Sequence, residues 1–175
     1  MSNMLENKSK TMFETFKINN KKKILFEIFF VFLIFAIDRI SKSIILYLSK
    51  ITGEYQITLT NYLDLNLIWN RGIAFGLLSL DTNLYYNLIT FTIGVVILFI
   101  IIISKKSKGV EKISFLMIIG GALGNLFDRI YYKSVIDFID FSIQNFHWFI
   151  FNVADIFISL GIISLIFLEF RKKNE

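Results

Sequence analysis

The chain has 175 residues, 55% of them hydrophobic, with a mean hydropathy of +0.62 and a formal charge of +5. That is one domain's length, and it is too apolar for a soluble domain of this size. With no cysteine and a single histidine, His147, the chain cannot form disulfides, thiolate nucleophiles, Cys-based zinc sites or an HExxH motif.

The positive charges flank apolar runs instead of lining one face, which argues for membrane orientation and against nucleic acid as a partner. Residues 1–23 are polar, end in Lys21-Lys22-Lys23, and are expected to form a mobile cytoplasmic tail. The first apolar run, Ile24 to about Leu48, starts too late and continues too far for a cleavable signal peptide, so it reads as a retained helix. Glu27 and the stretch Asp38-Arg39-Ile40-Ser41-Lys42 interrupt it. Asp38 and Lys42, four apart on one face, are the expected partners of an ion pair.

Segment 49–83 mixes the β-rich Tyr55-Gln56-Ile57-Thr58-Leu59-Thr60 with an extended, apolar Leu63–Trp69 and ends in Asn70-Arg71-Gly72-Ile73-Ala74-Phe75-Gly76. It is expected to form a small strand-rich platform at the outer membrane surface. With Gly53, Gly72 and Gly76 it is also expected to act as a mobile flap over a substrate groove. Tyr62, Trp69 and Trp148 suit an interfacial aromatic belt.

Leu84–Ile103 contains no charge and is the clearest spanning helix. The third run, Ile113 to about Tyr131, carries Gly120 and Gly124, a small-residue pair that permits close helix approach, and then Asn125 and Asp128-Arg129. Arg129 is the expected ion-pair partner of its neighbour Asp128. Val135–Asp155 brings Asp137, Asp140 and Asp155, the last inside a fourth apolar run from about His147 to Phe170.

Lysine and arginine fall 13 on the tail, the 104–112 loop and the C-terminus, against 3 on the other two loops. Both termini are therefore expected in the cytoplasm, with 49–83 and 132–146 outside. At 1.5 Å per residue, Asp38, Asp128 and Asp155 each lie roughly 21–22 Å from the cytoplasmic end of their helix. All three would sit some ~8 Å beneath the outer face of a ~30 Å hydrocarbon core. Aspartates in apolar helices cost roughly 2.5–3.5 kcal/mol each, so three at one depth point to a site. On depth alone Asp128 rivals Asp137, which joins only if 132–138 folds back over the site.

These stretches resemble the lipoprotein signal peptidases (signal peptidase II), the membrane aspartic peptidases of bacteria. The resemblance rests on Asp38–Lys42, Asn70–Gly76, Gly120–Arg129, Val135–Phe138 and Phe151–Asp155, in order across roughly residues 24–170. Arg71 and Ile73 replace the smaller residues usual in the family, and Ile150 stands near where proline is common. The resemblance implies an all-α integral membrane protein with four transmembrane helices and the platform between the first two, and a peptidase domain at 24–170 before a cytoplasmic tail at 171–175. It makes Asp137 and Asp155 the catalytic dyad, with no metal or organic cofactor. The substrate it implies is a prolipoprotein cut before its diacylglyceryl-cysteine, and the enzyme a monomer among membrane lipids. Asp38, Lys42, Asn70, Gly72, Gly124, Asn125, Asp128, Arg129, Asn152 and Ala154 are then candidates to bind substrate or shape the site. A Ser41/Lys42 dyad is excluded because adjacent helical residues face apart, and Gly124-Asn125-Leu126-Phe127-Asp128 lacks the GxGD pattern of another intramembrane protease class. A proton-coupled transporter would need a relay to the opposite membrane face, which acids clustered near one surface do not offer.

Overall fold

The computed structural model describes residues 2–72, 83–143, 146–147 and 149–173, with side chains at 21–72, 84–142 and 149–173. Helix α1 spans Ser2–Thr52 and is followed by strands β1 (Gln56–Thr60) and β2 (Leu63–Asn70). Helices α2 (Asn83–Ser104) and α3 (Gly109–Tyr132) come next, then β3 (Val135–Ile143), β4 (Phe146–His147) and α4 (Val153–Lys173). Among the described residues, Leu84–Ser104, Gly109–Tyr132 and Val153–Lys173 are long and apolar enough to cross a membrane. Helix α1 runs past Glu27, Asp38, Arg39 and Lys42 and is not among those three. The helices present large apolar side chains outward, with Phe91 70% and Phe167 68% exposed, a surface suited to lipid and not to water.

The strand-rich platform differs from expectation in where its strands come from. The sheet is antiparallel with order β1-β2-β3-β4, so only β1 and β2 lie between the first two helices. The others come from the segment between α3 and α4. Helix α3 ends with Lys133 in the left-handed region (φ 59°), a conformation common just past a helix C-terminus, and the chain turns straight into β3. Strand β3 then pairs with β2, setting Asn70 opposite Val135 and Ile68 opposite Asp137. That pairing folds 132–138 back, the condition Asp137 needed. Ile136 and Phe138 pack with Leu67 and Ile45 as the core beneath the sheet.

The fourth helix begins at Val153, not near His147. Phe151 instead bridges β3: its N–H donates to Ile139 O at 3.1 Å, and its carbonyl accepts the Phe138 and Ile139 N–H groups at 3.0 and 2.8 Å. This pins the start of α4 beside Asp137. Of the expected flap at 49–83, residues 73–82 lie outside those described, Gly76 among them, as does Trp148.

Glycines set the helix spacing. A Cβ at Gly120 would lie 2.8 Å from Ile34 on α1, and one at Gly121 would lie 2.5 Å from the Ala154 carbonyl on α4. Gly124 meets both helices, with Asp38 Oδ2 at 2.6 Å and Ala154 Cβ at 3.5 Å. From the other side, Gly161 of α4 lies close to Ile118 and the Ser114 carbonyl. The expected small-residue contact is thus a three-helix seam.

Candidate active site

Asn152 is the N-cap of α4. Its Oδ1 accepts the Asp155 N–H at 3.1 Å, and the Asp155 Oδ2 accepts the Asn152 N–H at 3.1 Å. This reciprocal capping box satisfies two backbone donors and fixes the Asp155 carboxylate at the helix's positive end. The free amide of Asn152 donates to Asp137 Oδ1 at 2.6 Å, so one asparagine holds both acids. Asn70 Nδ2 donates to Asp137 Oδ2 at 2.8 Å, and its own oxygen accepts the Gly72 N–H at 2.8 Å, which orients the amide. Asn125 Nδ2 donates to Asp155 Oδ1 at 2.8 Å.

Asp137 and Asp155 line one cavity of about 300 Å³ with Asn70, Asn125 and Arg129. Burial first and the nearby Asp155 charge next bring the Asp137 carboxyl up to about 6, against the opposing Asn70, Asn152 and Lys42 contributions. Two carboxylates sharing a partially desolvated cavity cannot both ionise freely, so they titrate as a pair.

Behind the acids lies a buried charge cluster. Asp128 is paired with Arg39 and with Lys42 (2.7 Å), and Asp38 with Lys42 (3.0 Å) and Arg39 (2.6 Å). Two anions and two cations leave no net charge, as a low-dielectric setting requires. The Lys42 ammonium also donates to Asn125 Oδ1 at 3.0 Å, which fixes the amide that holds Asp155. Asp38 Oδ1 accepts the Ala154 N–H at 3.0 Å, and Asp128 Oδ2 accepts the Ile136 N–H at 3.3 Å. The cluster therefore anchors the residues beside each acid.

Arg129 is not the partner of Asp128, contrary to expectation. Its guanidinium donates to Gly72 O at 2.6 Å and lies 5.8 Å from the Tyr86 ring, while Nε and Nη1 are buried without a partner. Among the described residues, no group of three His, Asp or Glu side chains is placed to hold a metal.

The family model for signal peptidase II matches residues 30–171. The chain belongs to the signal peptidase II family. It is 44% identical to the lipoprotein signal peptidase of Pelagibacter ubique (strain HTCC1062) over 89% of this chain and 96% of that one. Identity to the lipoprotein signal peptidase of Anaplasma phagocytophilum (strain HZ) is 38%, covering 88% and 97%. Two solved structures described as bacterial membrane enzymes are similar, with TM-scores of 0.65 and 0.61 at 25% and 26% identity. They cover 84% and 81% of this chain, and 88% and 90% of their own lengths.

All twelve residues that the resemblance to signal peptidase II singled out lie in this assembly. Asp38, Asp128 and Asp155, expected at one depth, are joined through Lys42, Asn125 and the Ala154 N–H. Arg39 was missed as a site residue. A second cation beside Asp38 in an apolar helix was its signal, since two buried acids need two positive charges.

Proposed function

We propose that this chain is a membrane aspartic endopeptidase that removes signal peptides from diacylglyceryl-modified prolipoproteins, cutting just before the lipidated cysteine. The observation that carries the reading is the single asparagine, Asn152, bonded to both Asp137 and Asp155 at the wall of one cavity. The substrate class follows from the relatives, which are lipoprotein signal peptidases.

Asp137 and Asp155 hold one proton between them. The ionised carboxylate takes a proton from water as the water oxygen bonds to the scissile carbonyl carbon. The protonated partner gives its proton to the carbonyl oxygen, which forms a gem-diol. The C–N bond then breaks as the leaving nitrogen takes a proton from the pair and a gem-diol hydroxyl returns one to it, which leaves a carboxylic acid on the signal peptide and restores the shared proton. These steps need neither metal nor organic cofactor. The unpartnered Nε and Nη1 donors of Arg129, with Asn70 and Gly72 beside them, suit carbonyl oxygens of the substrate backbone. Gly124 and Ala154 shape the site by their small size, and Asp38, Lys42 and Asp128 shape it through the charge cluster.

In this reading α1 is a fourth span, both termini are cytoplasmic, and the dyad lies near the outer face of a bacterial cytoplasmic membrane. Residues 1–23 and 171–175 flank a monomeric peptidase domain at 24–170 that is bathed by membrane lipids. The lipid chains of the substrate then stay in the bilayer while its peptide bond reaches the acids near the surface. Asp137→Asn and Asp155→Asn, purified folded, should each leave diacylglyceryl prolipoprotein uncut. Near-normal cleavage by either folded variant would sink the dyad.

A further inference from the structure

A second concavity lies away from the dyad. Helices α1 and α2 both pack on α3, and a groove of about 640 Å³ runs along that junction. Ile28 and Phe32 of α1 and Leu116 and Ile119 of α3 form its apolar walls, with Ile28 61% and Phe32 62% exposed. On α1 the lining extends from Glu27 to Phe35, roughly 12 Å of helix. On α3 it extends from Lys112 to Ile130, roughly 27 Å, so the groove follows most of a ~30 Å hydrocarbon core.

One end of the groove is ionic. Lys112 Nζ lies 2.9 Å from Glu27 Oε2 and donates to Ser104 O at 3.0 Å, so its charge is balanced within the wall. Lys105 lines the same end, and Lys105, Lys106 and Lys108 are exposed there on the turn between α2 and α3. The surplus charge at the mouth is positive.

We infer that this groove holds an anionic phospholipid, with acyl chain along Ile28, Phe32, Leu116 and Ile119 and phosphate at Lys105 and its neighbours. An apolar groove longer than one leaflet has room for the chain, and juxtamembrane lysines attract anionic headgroups. A signal-peptide helix fits less well, because its positively charged n-region would meet lysines of like sign. The site is separate from the proposed dyad and independent of which bond the enzyme cuts.

The test uses the full chain reconstituted in phosphatidylcholine vesicles with trace spin-labelled phosphatidylglycerol or phosphatidylcholine. The motionally restricted fraction of each label is read by electron paramagnetic resonance. The wild type should retain phosphatidylglycerol over phosphatidylcholine by about fivefold, given several lysines near one headgroup. Lys105→Gln with Lys106→Gln should bring the ratio near one. Ile28→Trp, at an exposed wall position, should lower the restricted fraction of both labels. Equal retention by the wild type, or a ratio unchanged in the double variant, overturns the inference. So does a photocrosslinker at Phe32 that captures a prolipoprotein signal peptide instead of lipid. Prolipoprotein cleavage is measured separately, so loss of lipid preference leaves the dyad reading standing.

Discussion

Asp137 is bonded to Asn152 at 2.6 Å, and that same asparagine caps α4 through Asp155. One residue therefore ties a strand acid to a helix acid, and the bridge between Ile139 and Phe151 keeps strand and helix in step. The geometry of the pair is thus set by backbone pairing together with the Asn152 side chain. This makes the electrostatic coupling of the acids open to measurement.

Asp137 has its ordinary value of 3.8 raised to about 6, first by burial and next by the Asp155 charge. The folded state therefore holds this proton more tightly than the unfolded chain does. Its stabilising effect is full below about pH 4 and is lost as pH rises through about 6, at a cost of roughly 3 kcal/mol at most. The melting temperature of Asp137→Asn, relative to wild type, should therefore climb between pH 4 and pH 7. In Asp155→Asn the charge contribution disappears, so Asp137 should titrate lower, as read by carboxyl NMR. Cleavage by the wild type should decline above about pH 6, where the shared proton is lost.

The charge cluster predicts a different signature. Asp128→Asn removes the charge that faces Arg39 and Lys42, both largely buried. Breaking a buried pair in this way costs about 3–5 kcal/mol, so protein level and melting temperature should fall. Cleavage per folded molecule should fall much less than in Asp137→Asn. Unchanged stability would show that the cluster does not hold the helices together.

The depth alignment of Asp38, Asp128 and Asp155 was legible because helical rise converts residue number into height. Three other features were not. Adjacency did not decide the Asp128–Arg129 pairing: Arg39 reaches its neighbour Asp38, but Asp128 is taken by Arg39 and Lys42 of another helix, and Arg129 reaches Gly72 instead. Strand β3 was hidden because Val135-Ile136-Asp137-Phe138-Ile139-Asp140 spaces its acids by three and lacks a clean period of two. The apolar run from His147 to Phe151 reads equally as helix or strand. The capping-box pattern at Asn152 and Asp155 marked the true start of α4.

The glycine seam gives a paired comparison. Gly121→Ala would set a methyl 2.5 Å from the Ala154 carbonyl, which is backbone and cannot swing aside. It should force α3 from the start of α4, lowering both stability and cleavage. Gly94→Ala meets nothing within 4 Å on α2 and should be neutral or slightly stabilising, by about 0.5–1 kcal/mol at most. Equal melting temperatures for the two variants would show that the close approach is not needed.

The proposed topology, with both termini in the cytoplasm, rests on the charge asymmetry of 13 against 3. A reporter active only outside the cytoplasm, fused after Glu175, should stay silent. The same reporter inserted after Gly53, between α1 and β1, should be active. A signal from the C-terminal fusion would invert the arrangement or remove α1 as a span.

Asn152 performs two tasks that substitution can separate. Its side-chain oxygen caps α4 by accepting the Asp155 N–H, and its amide positions Asp137. Asn152→Ala loses both, and loss of an N-cap costs about 0.5–2 kcal/mol. Serine caps helices about as well as asparagine, but its hydroxyl is too short to cap and reach Asp137 together. Asn152→Ser should therefore recover most of the melting temperature lost in Asn152→Ala while cleavage stays low. Asn152→Ser should also let Asp137 titrate above about 6, because an amide donor that favours its ionised form is gone. The pH at which cleavage declines should move upward accordingly. If Asn152→Ser restores cleavage with stability, the bond from Asn152 to Asp137 is dispensable, and the asparagine serves the helix alone.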